Sequence, residues 1–263
     1  MNTIPVMGIP ILNRGDLLLR LVQSIDYPVD LLYIVDNSNG LYGVSSYFTQ
    51  ITELISTGQV PIKELKVISD PSAPNGNLGV AASWNRIVTD NPNTPYWFLI
   101  GNDILFTPGD LEKMNQGVQE HPECATVFAN HGHSFFVVTK LGIETVGLFD
   151  ENFYPAYCED VDYSRRMKVL NVPALDVQGI NSKHGEAPSW GSMTIYSDDD
   201  RRELNGVSHE MNWRYYEFKW GSRVWGNETF VHPYNDETLT ARDWILMKEF
   251  RSVSEQAYKQ LYT

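Results

Sequence analysis

The segment at residues 96–106, YWFLIGNDILF, restricts the possible fold of this chain more than any other. It begins with five consecutive apolar residues, as is typical of a strand that is buried on both faces in a parallel sheet. The apolar run breaks at Gly101 and is followed by the polar residues Asn102 and Asp103. Open α/β sheets bind their ligands just beyond the carboxyl ends of such strands. We therefore predict that Asp103 faces a ligand site.

Strands and helices are predicted to alternate along the N-terminal part of the chain. Each predicted strand ends in a polar turn, and the segment after it has the spacing of an amphipathic helix. This alternation predicts an α/β fold with a mostly parallel, Rossmann-like sheet flanked by helices. The predicted strands are residues 4–12, 31–35 and 65–68, and the predicted helices are residues 16–25, with Asp16 as a cap, 44–56 and 80–89.

After Asp103 the pattern continues with shorter elements. A helix is predicted from Thr107, whose side chain is expected to cap it, to Glu120. The further predicted strands are residues 125–129, 135–139 and 172–177, and the further predicted helices are residues 140–146, 159–169, 198–220 and 239–261. We predict one α/β domain over residues 1–190, with a C-terminal helical extension over residues 191–263 packed on it.

The composition excludes several classes of function. A formal net charge of −13 argues against a nucleic-acid-binding protein, which needs a basic face, and means that an anionic substrate would need a metal ion or local Arg and Lys side chains. Two cysteines cannot make a structural zinc site or a disulfide framework, so a reducing, cytoplasmic setting fits best. The start lacks the features of a signal peptide, and no apolar run is long enough for a transmembrane segment.

Several polar residues follow predicted strands, and each has a structural and a functional interpretation. Asp36 can accept hydrogen bonds from a nucleotide base or a ribose, or it can form an Asx turn with its own backbone. The loop at residues 75–79 can approach a phosphate at a helix N-terminus, or it can be an ordinary cap. Asp103 and His184, in two such turns, are of the types that bind Mn²⁺ or Mg²⁺, although a lone His is more often a surface residue.

Acidic residues also cluster at the start of the predicted helix 159–169. Their structural interpretation is that they complement the helix dipole. Their functional interpretation is that one carboxylate acts as a general base toward an acceptor hydroxyl. Arg165 and Arg166 are expected to pair with Asp162 on the helix surface.

In their order along the chain, these segments resemble the GT-A glycosyltransferases of family 2, particularly the rhamnosyltransferase-like branch. The resemblance covers roughly residues 4–190, and its most specific part is GLFDENFYPAYCEDVDYSRRM at residues 147–167. The other similar segments are the opening strand with Asn13 and Arg14, YIVDNSN around Asp36, NGNLGVAASWN from residue 75 to Asn85, FLIGND up to Asp103, and SKHGEAPSW around His184.

The resemblance implies an inverting transfer of a sugar from a nucleotide-diphosphate donor to a hydroxyl acceptor, which would be a carbohydrate or glycoconjugate. By the same resemblance, Asp160 is the general base, Glu159 lies near the acceptor, and Asp103 and His184 bind a divalent cation, Mn²⁺ or Mg²⁺. Gly101 stands where the family usually carries the first acid of its metal motif, which leaves Asp103 as the single acid there. The residues expected to bind the donor are Pro10, Asn13, Asp36, Asn77, Gly79, Asn85 and Asn102.

Two other functions stay open at this point. A sugar nucleotidyltransferase would usually carry a Gly-rich loop with Arg or Lys directly after the first strand, where this chain has only Arg14 and Gly15. A non-catalytic carbohydrate-binding protein would use aromatic segments such as residues 149–157 and 213–225 to stack on sugars. The apolar stripe of the helix at residues 239–261 can pack on the core or, in a homodimer, on a second subunit.

Overall fold

The computed structural model describes residues 2–186, 192–193 and 199–226. Apolar strands alternate with amphipathic helices over the N-terminal half, as the sequence predicts. The strands, numbered in chain order, are β1 Ile4–Ile11, β2 Val29–Asp36, β3 Ile62–Ile68, β4 Tyr96–Ile100, β5 Ile104–Leu105, β6 Thr126–Ala129, β7 Gly132–Thr139, β8 Ala174–Asp176 and β9 Lys183–His184.

The main sheet has seven strands in the order β3-β2-β1-β4-β7-β6-β8. Strands β1 to β4 run parallel to one another, and β7 is antiparallel to both of its neighbours. Every residue of β4 is buried, because the strand lies in the middle of the sheet with side chains packed on both faces. The predicted α/β fold with a mostly parallel sheet is therefore confirmed.

The helices cover both faces of this sheet. The α1–β1 side packs around Leu18 and Leu21, and the other side packs around Trp84, Phe136 and Phe149. No helix in the described part of the chain has the length and apolar character needed to cross a membrane. The helices are α1 Gly15–Gln23, α2 Ser45–Ser56, α3 Val80–Asp90, α4 Asp110–Glu120, α5 Lys140–Val146, α6 Glu159–Val169 and α7 Asp199–Trp220.

Two predicted helix starts are wrong in detail. Helix α4 begins at Asp110, not at the first residue after Thr107, because Gly109 takes a left-handed conformation at the N-cap. The Asp110 carboxylate accepts the Thr107 N–H at 3.1 Å, so the capping direction is the reverse of the prediction. Asp16 lies inside the first turn of α1 and binds the guanidinium of Arg14, which is itself the N-cap residue.

A separate two-stranded sheet lies beside the end of β4. In this sheet β5 pairs antiparallel with β9, and Ile104 stands opposite His184. The pairing brings together two turns that are about eighty residues apart in the chain, because β9 returns to the segment that directly follows Asp103. Helix α7, from the predicted extension, shares a buried aromatic cluster with the loop before α6, in which Tyr215, Tyr216 and Trp220 surround Phe153 and Cys158. The predicted helix at residues 239–261 lies outside the described residues.

Candidate functional site

A cavity of about 450 Å³ opens at the carboxyl ends of β1 and β4. It is bounded by the ends of these strands, the start of β7, the loop before α3 and the start of α6. This is the position at which open parallel sheets bind ligands, and its volume is that of a small-molecule site. The predicted site residues that line it are Pro10, Asn77, Gly79, Asn102, Asp103, Glu159, Asp160 and His184.

One wall of the cavity, the cation-side wall, consists of Asp103 and His184. Because β5 and β9 form a ladder, the residue before β5 lies against the end of β9. The Asp103 carboxylate is 3% exposed, and its Oδ1 lies 3.3 Å from Nε2 of His184. Its Oδ2 accepts the Met193 N–H at 2.7 Å, and its main-chain oxygen accepts the Gly185 N–H at 2.9 Å. The backbone thus fixes both residues and leaves Oδ1 directed toward the imidazole.

The chemistry of this pair fits a divalent cation that also has ligands from outside the protein. Two neighbouring ligands at about 2.1 Å from an octahedral cation are about 3 Å apart, and the observed separation of 3.3 Å is close to that spacing. The described residues contain no group of three His, Cys, Asp or Glu side chains placed to hold a metal. A cation bound here would therefore depend on water and on substrate oxygens for its other ligands, as Mg²⁺ commonly does.

Gly101 explains why this wall carries a single acid. A Cβ atom at Gly101 would lie 3.2 Å from Oδ1 of Asp103 and 3.5 Å from the main-chain oxygen of Ser134. The first distance is tighter than ordinary van der Waals contact, and the second is fixed by the β4–β7 pairing through the hydrogen bond from the Gly101 N–H to Ser134. A side chain at this position would push on the carboxylate that faces His184.

A second wall, the acid-side wall, is the start of α6. Two residues before this helix, Tyr157 and Cys158, have left-handed backbone conformations with φ values of 79° and 73°. Such conformations in non-glycine residues are uncommon and costly, and they are enriched at functional sites. They turn the chain so that Glu159 and Asp160 line the cavity at the helix N-terminus.

Glu159 and Asp160 differ in their surroundings. Glu159 is 5% exposed, and its Oε2 is buried without a hydrogen-bond partner among the described residues. Burial, followed by the neighbouring charge of Asp160, raises the pKa of Glu159 well above its usual range. Asp160 is more exposed, and its Oδ1 accepts the N–H of Val161 at 2.8 Å. The wall thus pairs a buried carboxyl group that has a raised pKa with a more accessible one.

Helix α7 holds the loop that precedes this wall. The side-chain amide of Asn212 donates to the main-chain oxygens of Ala156 at 2.8 Å and Tyr157 at 3.0 Å, and both of these residues line the cavity. Asn212 is 1% exposed, so these bonds are shielded from water. The strained turn before α6 is therefore supported from the C-terminal part of the chain.

A buried ionic network ties α6 itself to α7. Nζ of Lys219 lies 2.8 Å from carboxylate oxygens of both Asp150 and Asp162. Nε of Arg166 lies 2.9 Å from Asp162, and the indole N–H of Trp220 donates to the same carboxylate at 2.9 Å. Burial alone would raise the pKa of Asp150, but the Lys219 charge and hydrogen bonds outweigh it and lower that pKa to about 2. The negative charges of Asp150 and Asp162 are thus balanced by the positive charges of Lys219 and Arg166.

The prediction that both arginines pair with Asp162 on the helix surface is wrong in two respects. Arg166 does pair with Asp162, but both side chains are buried. Arg165 is also buried, and it donates to the main-chain oxygens of Ser222 at 2.6 Å and Val224 at 3.1 Å. Burial of both guanidinium groups follows from the presence of α7, which covers the face of α6 that would otherwise be solvated.

The loop before α3 forms another part of the cavity lining. Gly79 has a φ of 80°, and a Cβ atom there would lie 2.9 Å from the main-chain oxygen of Pro155. Asn77 accepts the Gly79 N–H at 2.8 Å, and the side chain of Asn37 accepts the Leu78 N–H at 2.9 Å. Glycine is therefore required at residue 79 both by its backbone conformation and by the close approach of the loop before α6.

Three residues that were predicted to bind the donor do not line the cavity. Asp36 accepts the Ser38 N–H at 2.8 Å, which is the Asx turn named above as its structural interpretation. Asn85 bonds both main-chain polar groups of Phe149 and the carboxylate of Glu151, so its amide holds the loop after α5. The main-chain oxygen of Asn13 accepts from the Asn102 side chain at 3.1 Å. Their roles in donor binding stay predictions.

Sequence reasoning missed several lining residues, above all those at the start of β7. Strand β7 is the antiparallel neighbour of β4, so its first residues lie beside Gly101. The local pattern that could have indicated these residues is the segment HGHS, which has two histidines at the beginning of a predicted strand. The lining residues that were not predicted to be site residues include Asn37, Trp84, His131, His133, Ser134, Tyr157 and Ser192.

Comparison with known proteins gives short or distant matches. A stretch of 35 residues is 60% identical to "Galactofuranosyl glycosyltransferase" from Leishmania donovani, and it covers 13% of this chain and 8% of that protein. Residues 1–349 of TarS from S. aureus match with a TM-score of 0.49 at 10% identity, covering 72% of this chain and 61% of that one. A longer TarS structure matches with a TM-score of 0.48 over 37% of its length. No family model matches. One of the proteins that this chain resembles, over a short stretch, is thus named as a glycosyltransferase.

Proposed function

We propose that this chain is an inverting glycosyltransferase, which moves a sugar from a nucleotide-diphosphate donor to a hydroxyl group of a carbohydrate or glycoconjugate. The observation that carries the proposal is that Asp103 and Asp160, which are far apart in the sequence, line the same cavity. A direct displacement needs one group near the departing phosphate and another near the incoming oxygen. The short stretch that is 60% identical to a protein named as a galactofuranosyl glycosyltransferase supports the same reaction class.

The cation-side wall would receive the diphosphate of the donor. Asp103 and His184 would hold a divalent cation, whose charge stabilises the negative charge that develops on the departing diphosphate. A chain with a net charge of −13 needs such a local positive charge to bind an anionic donor. Asp103 is positioned before the donor arrives, because its carboxylate accepts a hydrogen bond from the Met193 N–H and its main-chain oxygen accepts one from the Gly185 N–H.

The acid-side wall would receive the acceptor. Asp160 is the carboxylate that takes the proton from the acceptor hydroxyl as this oxygen attacks the anomeric carbon. Burial raises the pKa of Glu159, which favours its protonated form relative to an ordinary glutamate, so we assign the base to the more accessible Asp160. In the proposed displacement, the acceptor oxygen attacks the anomeric carbon from the face opposite the departing phosphate, so the configuration inverts.

The two alternative functions make different predictions about this cavity. A nucleotidyltransferase would need basic groups directly after β1, and the Arg14 guanidinium there is engaged by Asp16 at 2.8 Å and Glu186 at 2.9 Å. A carbohydrate-binding protein would bind sugar at the aromatic surface and would release no nucleotide. Neither alternative requires that the carboxylates of Asp103 and Asp160 line the same cavity.

The test is a donor screen with product detection. The purified chain is mixed with UDP-glucose, UDP-galactose, UDP-galactofuranose, UDP-N-acetylglucosamine, GDP-mannose or dTDP-rhamnose, each with Mn²⁺ or with EDTA. Donor binding is measured as a thermal shift, because a ligand of the folded state raises its apparent stability. Release of nucleotide diphosphate is then measured in the presence of a panel of oligosaccharide acceptors. We expect one donor to bind in a Mn²⁺-dependent way and to be turned over. Binding of free oligosaccharides without release of nucleotide from any donor would contradict the proposal.

A further inference from the structure

His133 is an imidazole in the floor of the cavity that has no assigned role. It lies at the start of β7, and its ring packs against three aromatic rings at centroid distances of 6.5 Å for Trp84, 4.8 Å for Phe128 and 4.8 Å for Phe136. Its Nε2 atom is buried and has no hydrogen-bond partner among the described residues. Buried polar atoms in proteins are nearly always hydrogen-bonded, so an unpaired one in a cavity wall indicates that a ligand supplies the partner.

The position of His133 indicates which part of a ligand would pair with its Nε2 atom. The next residue, Ser134, accepts the main-chain N–H of Gly101 at 2.8 Å, which places His133 beside the strand end that leads to Asp103. The carboxylate of Asp160 is close enough to act on the His133 ring electrostatically. His133 is therefore near both proposed reacting groups, beside the strand end that leads to Asp103 and within electrostatic reach of Asp160. In a direct displacement, the sugar being transferred is also near both groups, because its anomeric carbon lies between the leaving and the incoming oxygen atoms.

We propose that Nε2 of His133 hydrogen-bonds a hydroxyl group of the sugar being transferred and thereby selects the donor sugar. The inference rests on the proposed glycosyltransferase function and adds to it a specificity-determining residue. The surrounding rings of Trp84, Phe128 and Phe136 hold the imidazole in one orientation, so little conformational freedom is lost when the bond forms. A donor that lacks the matching hydroxyl would leave Nε2 buried and unpaired, which is the situation in which binding sites discriminate most strongly.

The protonation state of His133 agrees with a neutral sugar partner. Burial lowers the pKa of His133 to about 4, and the nearby Asp160 carboxylate opposes this effect only in part. The ring is therefore neutral near pH 7 and has one nitrogen that donates and one that accepts a hydrogen bond. A hydroxyl group can pair with either nitrogen, whereas a phosphate oxygen would need the donor form.

The experiment combines a deoxy-sugar scan with a His133 variant. The donor is the nucleotide sugar from the panel above that the wild-type chain binds most tightly, and its analogues each lack one sugar hydroxyl. In the wild-type chain we expect one analogue to bind about tenfold more weakly than the parent donor, the equivalent of one buried hydrogen bond. In His133→Phe, which keeps an aromatic ring and removes the nitrogens, the parent donor and that analogue should bind equally. The affinity for the nucleoside diphosphate alone should not change.

The controls separate the possible failures. His121→Phe makes the same chemical change at an exposed histidine on the C-terminal end of α4, and it should reproduce the wild-type scan. If His133→Phe does not fold, His133→Asn offers a smaller polar replacement for the same scan. A wild-type chain that binds no nucleotide sugar would contradict the proposed function itself. A wild-type chain that turns over its donor, together with identical deoxy profiles in the wild type and the His133 variant, would overturn only the role of His133.

Discussion

The two walls of the cavity are built in different ways. The cation-side wall is held mainly by the backbone, because the β5–β9 ladder and main-chain N–H groups position Asp103 and His184. The acid-side wall is held by side chains from α7, through Asn212 on the preceding turn and Lys219 on the carboxylates of Asp150 and Asp162. The cation-side wall therefore depends on strand pairing, whereas the acid-side wall depends on a helix from the predicted extension.

The largest effect is expected when the acid-side wall loses its base. In Asp160→Asn we expect kcat to fall by a factor of about 10² to 10⁴, the usual contribution of a general base. Donor affinity should stay unchanged, because the substitution keeps the size of the side chain and Asp160 is not among the residues proposed to bind the diphosphate. Transfer rates and calorimetric donor binding check both parts. Asp176→Asn, at an exposed position on β8, is the matched control. Near-normal turnover of Asp160→Asn would exclude Asp160 as the base.

The next effect concerns the network that holds the acid-side wall. Lys219→Met removes the cation shared by Asp150 and Asp162, and we expect the free energy of unfolding to fall by about 3–5 kcal/mol because two buried carboxylates lose a partner. Urea unfolding measures this loss. Lys140→Met removes one cation of an exposed pair on α5 and should change stability by less than about 0.5 kcal/mol. Equal stability of the two variants would show that the buried network does not support α6.

The lowered pKa of His133 predicts that the stability of the fold depends on pH. The folded-state pKa of His133 is about 4, below its ordinary value of 6.5. As the pH falls from about 6.5 to about 4, the unfolded chain therefore binds a proton that the folded chain does not bind. The free energy of unfolding falls by roughly 3 kcal/mol over this window. The raised pKa of Glu159 gives a slope of the opposite sign. The difference between the wild type and His133→Phe across this window isolates the histidine, and the absence of such a difference would contradict a lowered pKa of His133.

A smaller effect is expected at the cation-side wall. Asp103→Ala removes one proposed cation ligand, and we expect Mn²⁺-dependent affinity for the nucleoside diphosphate to fall by a factor of about 10 to 100, the equivalent of one charge-assisted contact. Affinity measured with EDTA should change little. Calorimetry with and without Mn²⁺ tests this, and Asp70→Ala in an exposed loop is the control. Unchanged Mn²⁺ dependence would remove Asp103 from the proposed cation site.

The smallest effect tests the crowding around Asp103. Gly101→Ala places a Cβ atom 3.2 Å from Oδ1 of Asp103 and should lower Mn²⁺-dependent affinity by less than about tenfold. Because the φ of Gly101 is not in the left-handed region, the stability of the fold should change by less than about 1 kcal/mol. Mn²⁺ titrations of both chains provide the comparison. An affinity equal to that of the wild type would show that the carboxylate moves aside freely.

The sequence alone determined the order of elements and the α/β class. The apolar run of β4 and the polar break after it are local patterns, and they placed Asp103 at the sheet edge where the cavity lies. The start of α6 at Glu159 was likewise predicted to the residue, since a cluster of acids before a helical pattern is a local signal. The helix starts near Thr107 and Asp16 were wrong because the left-handed conformations of Gly109 and Arg14 have no comparable local signal.

Only the tertiary structure decided which of these polar residues face the cavity. Asn85 and Asp36 have polar side chains suited to a ligand, but these side chains form hydrogen bonds with backbone groups and do not line the cavity. His133, at the sheet edge, does line it. The burial of Arg165 and Arg166 depends on α7 covering α6, a contact between distant parts of the chain. The physical reason is that periodicity reports which face of an element is apolar, whereas the partner of a buried charge is set by long-range packing, which leaves no local pattern in the sequence.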